Sequence, residues 1–145
     1  MSPRNLLGML LAFGVALGVY FLWPKEKLSP EDQIRRLVAK TVKAAEARDP
    51  AEVVEALDER FRGPGGVGKG EVKQLLVGQF FRAQSIVVLN PALEVTITSA
   101  TSGHFKGTFV FARDGAAIEA SKYELAADLE KIDGDWKLIS ASWNR

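Results

Sequence analysis

The sequence predicts an α+β domain in which three helices pack on one face of a strongly curved antiparallel sheet, preceded by one transmembrane helix. Three observations predict this class. Residues 6–23 contain no charged side chain, and residues 31–83 repeat apolar side chains at helical spacing. From residue 85 onward the apolar period falls to two, and two Asp-Gly pairs mark tight turns. Helices followed by a strand meander are typical of a helical layer on an antiparallel sheet.

The composition bounds both size and chemistry. The chain has 145 residues, about the length of one domain, and it contains no Cys and one His. The lack of Cys excludes a disulfide scaffold, a thiol nucleophile and a Cys-ligated zinc site, and a single His excludes a multi-His site built by this chain alone. We therefore predict no metal and no cofactor.

The charge balance bears on the partners. Residues 1–24 contain a single charged side chain, Arg4, so the rest of the chain carries 18 basic and 18 acidic residues. A neutral domain lacks the basic field that non-specific nucleic-acid binding requires. We therefore predict no nucleic-acid partner.

The first element is the apolar run at residues 6–23. As a helix it would be about 27 Å long, close to the hydrocarbon thickness of a bilayer. Tyr20 and Trp23 lie at one end, where aromatic rings favour the membrane interface. A cleaved signal peptide is the first alternative, but cutting after the small residues Ala16 and Gly18 would leave an apolar stretch on the mature end. An uncleaved anchor is favoured over a signal peptide, and a buried core helix comes last.

Orientation and domain limits follow from this anchor. The segment before the span is short and contains Arg4, which favours a cytoplasmic N-terminus and a domain on the other side of the membrane. Lys25 and Lys27 follow the span, so the positive charges on its two sides are nearly equal in number. The sequence thus divides into an anchor at 1–24, a linker at 25–30 and a folded domain at 31–145. In a Gram-negative bacterium this would be a single-pass inner-membrane protein with a periplasmic domain.

The three helices come next in order. Ser-Pro-Glu-Asp at residues 29–32 combines a capping side chain, a first-turn proline and acids at the positive end of the dipole, and predicts a helix to about residue 48. Asp-Pro at 49–50 repeats the signal and predicts a shorter helix that reaches Phe61. A glycine-rich loop at 63–70 precedes a third helix, whose apolar side chains are Val72, Leu75, Leu76, Phe80 and Ala83.

Five strands complete the domain. They are predicted at residues 85–89, 93–99, 105–113, 116–132 and 135–144. Asp-Gly at 114–115 and at 133–134 are strong signals for two-residue hairpin turns. The first of these turns would pair Phe109 with Ala120, and it then needs a β-bulge between Ala120 and Tyr123 to keep the apolar side chains on one face.

The second turn sets the register of the last two strands. It pairs Ile132 with Asp135 and Leu129 with Leu138. In this register the apolar inner face also carries Tyr123, Leu125, Trp136, Ser140 and Ser142. The outer face carries acids together with a half-apolar strip, which we predict to be an interaction surface formed by Ala126, Ile139, Ala141 and Trp143.

Three segments carry a family resemblance. Phe61-Arg62-Gly63, the helix at 71–81 that leads into the strand at 85–89, and the closing DGDWKLISASW at 133–143 resemble the nuclear transport factor 2-like (SnoaL-like, ketosteroid-isomerase-like) superfamily over residues 31–145. The resemblance implies a cone that opens into an apolar pocket. The residues predicted to line that pocket are Phe61, Phe80, Phe109, Tyr123, Leu125, Trp136, Ser140 and Ser142.

The superfamily is functionally mixed. It includes isomerases, dehydratases, non-catalytic binding modules and domains of secretion scaffolds, and some of those scaffolds join one membrane span to one such domain in the periplasm. Its domains often dimerise through their sheets. The resemblance therefore implies a homodimer through the sheet or a partner protein of the envelope.

Two local patterns resemble functional sites, a phosphate-binding loop and a catalytic histidine, but each lacks a feature that such a site requires. Residues 63–70 nearly match the phosphate-binding loop GxxxxGK[ST], but Gly70 stands where the Ser or Thr hydroxyl should bind magnesium. The flanking elements are also not those of a parallel sheet. His104 lies in a small polar connection, and no carboxylate stands at a sequence spacing that would place it beside the imidazole. A solvated surface position is therefore favoured over catalysis.

The predicted function rests on what the inner face lacks. An isomerase or dehydratase would need an acid or base in the cone, but Glu124, Asp128 and Glu130 are predicted to face outward. We therefore predict no catalytic residue and a membrane-anchored, non-catalytic binding or scaffold domain that recognises a partner protein or a small apolar ligand. The alternative is a small-substrate isomerase or dehydratase that uses Tyr123 as a hydrogen-bond donor.

Overall fold

A computed structural model describes residues 28–113 and 119–144 of the chain. The predicted anchor at 1–24 and the predicted Asp114-Gly115 turn lie outside these residues. Within the described ranges there are three α-helices, a 3₁₀ turn at Pro64–Gly66 and five strands. They are α1 (Pro30–Glu46), α2 (Pro50–Val54), β1 (Leu57–Arg62), α3 (Lys69–Arg82), β2 (Ile86–Ser99), β3 (Ser102–Arg113), β4 (Glu119–Ile132) and β5 (Asp135–Asn144). None of these helices is long and apolar enough to cross a membrane.

The predicted helix starts are confirmed. The Ser29 hydroxyl accepts a hydrogen bond from the Asp32 N–H at 3.2 Å, and the Asp49 carboxylate accepts one from the Glu52 N–H at 3.1 Å. In both helices the proline that follows the capping residue occupies the first turn, where its missing N–H costs nothing.

The predicted end of the second helix is wrong. That helix ends at Val54, and Leu57–Arg62 forms β1 instead. Leu57 and Phe61 are the buried positions of this strand, and they are four residues apart. Such a spacing places two side chains on one face of a helix and also on one face of a strand, so the pattern alone does not distinguish the two. Parallel pairing of β1 with the edge of β5 decides for the strand.

The sheet has the order β1-β5-β4-β3-β2, and every neighbouring pair except β1 and β5 is antiparallel. One long edge strand, β2, replaces the two strands predicted at 85–89 and 93–99. The register shifts between Leu89 and Ala92, around Asn90-Pro91. Because proline has no N–H for the ladder, it is tolerated at such an irregularity on an edge strand.

The predicted pairing of β3 with β4 is also wrong. Phe109 pairs with Tyr123 rather than Ala120, and Phe111 pairs with Ser121. The described register is continuous, so the bulge predicted between Ala120 and Tyr123 is not there. Five residues, 114–118, separate the two strands. Because this number is odd, odd-numbered residues of β3 pair with odd-numbered residues of β4, and the aromatic side chains of both strands share one face without a bulge.

The register of β4 with β5 is confirmed for its first half only. Ile132 pairs with Asp135 and Leu129 with Leu138, but Asp128 pairs with Ser140, so the ladder skips Ile139. A β-bulge of this kind exchanges the two faces of the strand beyond it.

The bulge at Ile139 corrects four predicted orientations. Ser140 and Ser142 lie on the outer face, and Ala141 and Trp143 lie on the inner face, opposite to the predicted arrangement. Ala141 packs against both core clusters. The exchange directs apolar side chains inward, lets the Ser140 hydroxyl reach Asp128 and leaves Ser142 exposed, which keeps both hydroxyls out of the core.

The core fills the space between α1 and the inner face of the sheet. Ile34 and Val38 of α1 pack against strand residues that include Phe105, Leu129 and Trp136. A second cluster, Val54, Leu57 and Phe61, joins α2, α3 and β5. Among the described residues, every buried side chain is apolar. Gly103 allows the close approach of α1, because a Cβ there would lie 2.9 Å from Cδ1 of Ile34.

Candidate functional sites

The structure distributes the predicted pocket residues over several environments. Phe61, Phe80, Phe109 and Trp136 are buried, and Tyr123 and Leu125 are half-buried on the inner face. Ser140 and Ser142 are on the opposite face of the sheet. The eight side chains therefore do not line one common cavity in the described residues.

An aromatic cluster lies where β3 ends and β4 begins. The Phe111 ring meets the Tyr123 ring edge-on at 5.7 Å between centroids, and it stacks with Phe109 at 6.5 Å. The pairing with Tyr123 could not be anticipated because it depends on the length of the connection between the strands. Phe111 remains 37% exposed, so this end of the inner face is only partly covered.

Two ends of the domain can be distinguished by the side chains that meet there. At one end, Trp136 Nε1 donates to Gln33 Oε1 at 2.9 Å, and Gln33 Nε2 donates to the Leu28 carbonyl at 2.9 Å. At the other end, Arg48 donates to the carbonyl of Ala83 at 2.6 Å, joining the ends of α1 and α3. We call these the Leu28 end and the apolar end.

The apolar end carries the large exposed apolar side chains of the described residues. Three of them are on α3, two open β2, and one each lies near the ends of β3 and β5. They are Leu75, Val77, Phe81, Val87, Leu89, Phe111 and Trp143. The Trp143 ring fits beside Gly63, where a Cβ would come within 3.0 Å of it. Val87 and Leu89 lie on the outer face of the sheet, whereas Phe111 and Trp143 lie on its inner face, so these side chains do not form one continuous surface.

A groove of about 480 Å³ opens at the Leu28 end, between α1, α2 and the turn that joins β4 to β5. Its polar side chains are largely engaged within the domain. Lys40 pairs with Glu52 at 3.4 Å, and Lys137 donates to the carbonyl of Glu55. Trp136, one of the predicted pocket residues, lines it together with its partner Gln33. These contacts hold the start of α1 against β5.

A second groove, of about 410 Å³, lies at the apolar end between the α1–α2 junction and α3. We call it the α3 groove. It is lined by Ala47, Arg48, Pro50, Val77, Phe80 and Phe81. Phe80 was predicted to line a pocket inside the cone, but here it contributes to a groove on the outside of the helical layer. The ring of Phe81 is 91% exposed.

A polar cluster occupies the outer face of the sheet. His104 Nδ1 lies 2.9 Å from Asp128 Oδ1, and the Ser140 hydroxyl donates to Asp128 Oδ2 at 3.0 Å. The prediction that His104 lies in a connection without a carboxylate partner is wrong, because β3 begins at Ser102 and pairs His104 with Asp128. Only the pairing register could have revealed this contact, since the two residues are 24 positions apart.

The electrostatics of this cluster are those of a stabilised carboxylate. The hydrogen bond from His104 lowers the pKa of Asp128, partial burial opposes this effect, and the Ser140 hydroxyl adds to the lowering. The carboxylate stands between the imidazole and the hydroxyl, so the serine contacts only Asp128 in this cluster. The lowered pKa of Asp128 makes it a weak base, poorly suited to activating a serine nucleophile. The cluster also faces away from the inner face of the sheet.

We expect His104→Ala to raise the pKa of Asp128 toward its ordinary value of 3.8, because the largest cause of the lowering is removed. A lowered pKa in the folded state stabilises the fold above the unfolded pKa, and this contribution is lost as the pH falls through the folded pKa. For such an exposed pair the loss should be at most about 1 kcal/mol. Carboxyl-detected NMR titration measures the shift.

The matched control for this titration is Thr108→Val, which removes a neighbouring hydrogen bond from Thr108 to Glu124 without touching Asp128. It should leave the Asp128 pKa unchanged. An Asp128 pKa that is the same with and without the imidazole would contradict the assigned cause.

Comparison with known proteins identifies the fold. No protein family model matches the chain, and no curated protein matches it in sequence. Solved structures do match. A candidate scytalone dehydratase from Novosphingobium aromaticivorans aligns with a TM-score of 0.70 and 15% identity, over 78% of this chain and 81% of that one.

Two further structures have the same architecture. A candidate dehydratase of the NTF2-like family from Streptomyces avermitilis has a TM-score of 0.66 and 15% identity, over 78% of this chain and 93% of its own. A protein of unknown function with a cystatin-like fold from Nostoc punctiforme has a TM-score of 0.64 and 14% identity, over 81% and 92%. Three helices on a curved sheet of five strands, with these structures as neighbours, show that the described residues adopt the NTF2-like, cystatin-like fold.

Proposed function

We propose that this protein is a membrane-anchored, non-catalytic binding domain that recognises a partner protein of the cell envelope. One observation carries the proposal: three large apolar side chains of the single helix α3, those of Leu75, Val77 and Phe81, are exposed. Exposed apolar patches on soluble domains commonly mark interaction surfaces. The uncharged run at residues 6–23 supports a single span in a bacterial inner membrane with a periplasmic domain.

The position of Leu28 in the domain fits this role. The chain enters the domain at Leu28, and the contacts through Gln33 and Trp136 place that residue at the end opposite the exposed apolar side chains. A domain held by residues 6–23 would therefore present its apolar end away from its own bilayer. A partner in the aqueous space or in another envelope layer could reach it.

The alternative is an isomerase or dehydratase, and two of the structural neighbours are named as candidate dehydratases. Such an enzyme would need an acid or base beside Tyr123 on the inner face. The buried side chains of the described residues are apolar, and the His104–Asp128 pair lies on the outer face. These features favour binding over catalysis.

A homodimer is a second mode of association, through the outer face of the sheet. Ala126 lies on that face, together with the exposed side chains of Val87 and Leu89. Ala141 and Trp143 point to the inner face, so the strip first predicted for this contact is not continuous.

Site-specific photo-crosslinking in living cells tests the proposed function. The full chain would carry p-benzoylphenylalanine in place of Phe81 and, as the control, in place of Arg36, which is exposed near the Leu28 end. We expect the chain in the membrane fraction and a light-dependent protein adduct from position 81 but not from position 36. Equal adducts at both positions, no adduct at either, or a chain that fractionates as soluble would each contradict the proposal.

A further inference from the structure

We propose that the α3 groove is the docking site for a segment of a partner protein that carries both apolar side chains and carboxylates. This inference rests on the proposed function and specifies its partner chemistry. It is based on the shape of the groove, its exposure, its charge and its distance from the Leu28 end.

The shape of the groove fits a row of side chains. Lys73, Val77 and Phe81 follow one another at intervals of four along α3, so they form a ridge on one side of the helix. The groove lies between this ridge and the α1–α2 junction, and the buried ring of Phe80 contributes its apolar surface. A partner segment with apolar side chains at helical or extended spacing can lie along such a ridge.

The exposure of the groove argues for a macromolecular occupant. Val77 is 49% exposed and Phe81 is 91% exposed. Small-molecule sites enclose about 70–90% of their ligand's surface, which an open groove bordered by the exposed Phe81 cannot do. A protein segment can cover Phe81 from above and remove its apolar surface from water.

The charge of the groove selects the chemistry of the partner. Arg48 is the one charged residue among those that line it. The adjoining helix α3 carries Lys73 and Arg82 against a single acid, Glu71. Its third basic side chain, Lys69, pairs with Glu59 at 3.1 Å, which offsets its charge. Carboxylates beside the apolar side chains of the partner would complement this positive field and speed the encounter.

The same charge argues against a second copy of this chain as the occupant. A two-fold dimer brings identical patches together, so two copies of α3 would place like charges opposite each other. The membrane of the anchor is a less favoured occupant, because α1 extends for about 25 Å between the Leu28 end and the end that carries the groove.

Designed peptides test the proposal on the full chain in nanodiscs of zwitterionic lipid. One labelled amphipathic peptide carries Leu on one face and Glu on the other, and its counterpart carries Lys in place of every Glu. Fluorescence anisotropy, corrected with empty nanodiscs, measures binding. We expect the Glu peptide to bind at least about tenfold more tightly than the Lys peptide, a difference of about 1.4 kcal/mol.

Variants locate the binding. We expect Phe81→Ser to weaken binding of the Glu peptide at least about tenfold, as for a hot-spot aromatic residue. Lys73→Glu should weaken binding of the Glu peptide and strengthen binding of the Lys peptide. The control Arg36→Glu, a charge reversal at the Leu28 end, should change neither. Phe81 and Lys73 are exposed, so these variants should retain the fold.

The outcomes separate this inference from the proposed function. Tighter binding of the Lys peptide, equal binding of both peptides, or insensitivity to Phe81→Ser would overturn the inference. The same holds if decanoate, a small amphiphile, displaces the Glu peptide at micromolar concentration. If neither peptide binds but crosslinks still form at position 81, the inference fails and the proposed function stands. If crosslinks at position 81 are also absent, the proposed function fails too.

Discussion

Replacing Phe61 by alanine is expected to lower the free energy of unfolding by about 3–5 kcal/mol. The ring is 2% exposed and packs with Val54 and Leu57 at the junction of α2, α3 and β5. Its loss removes buried apolar surface and leaves a cavity in a small cluster. Because β1 is an edge strand of six residues, few other contacts can compensate.

Urea unfolding of the full chain in nanodiscs, followed by near-ultraviolet circular dichroism, measures this loss. The matched control is Phe81→Ala, which removes the same ring from a position that is 91% exposed. We expect the control to change the free energy of unfolding by no more than about 0.5 kcal/mol. A loss for Phe61→Ala as small as that of the control would contradict the burial of Phe61 in the core.

The second large effect is expected from Ala127→Asp. Ala127 lies on the inner face of β4, is 2% exposed, and packs in the main core cluster. A carboxylate there would be buried without a partner, and such a charge costs about 3–5 kcal/mol. In a domain of this size that is enough to unfold a large fraction of the molecules.

The neighbouring residue provides the control. Ala126 lies on the outer face and is half-exposed, so Ala126→Asp should be folded and differ little from the parent. Two-dimensional NMR of the two variants distinguishes the outcomes by the dispersion of their amide signals. A folded Ala127→Asp beside an unfolded Ala126→Asp would reverse the assignment of the two faces of β4.

The local parts of the fold were predictable from short sequence signals. Ser29 and Asp49 each precede a proline and cap a helix, and both starts agree with the structure. The Asp133-Gly134 turn places both residues at positive φ, as a tight hairpin requires, and it set the first pairings of β4 with β5. In each case the signal and its consequence lie within a few residues.

The pairings that failed depend on distant contacts. Leu57 and Phe61 suit a helix as well as a strand, and only the edge of β5 made them a strand. The bulge at Ile139 has no signal in its own sequence, because it arises from which side chains the core accepts. One skipped residue moved Ser140 and Trp143 to opposite faces from those predicted.

In the candidate sites, too, the sequence indicated individual residues, and contacts between distant segments decided what surrounds them. The sequence drew attention to Phe80, His104 and Trp143, but it did not show their surroundings. His104 acquires Asp128 only through the register of two strands, and Phe80 becomes part of a groove only when α3 docks against the α1–α2 junction.

By itself, the sequence determined the class of the domain, the starts of its first two helices, one of its hairpins and the apolar composition of its core, because capping, turn geometry and periodicity act over a few neighbouring residues. Tertiary structure alone decided which faces the last strand presents, which side chains meet across the sheet and where exposed apolar groups collect. These features arise from packing between segments far apart in the chain, where a shift of one residue reverses a face.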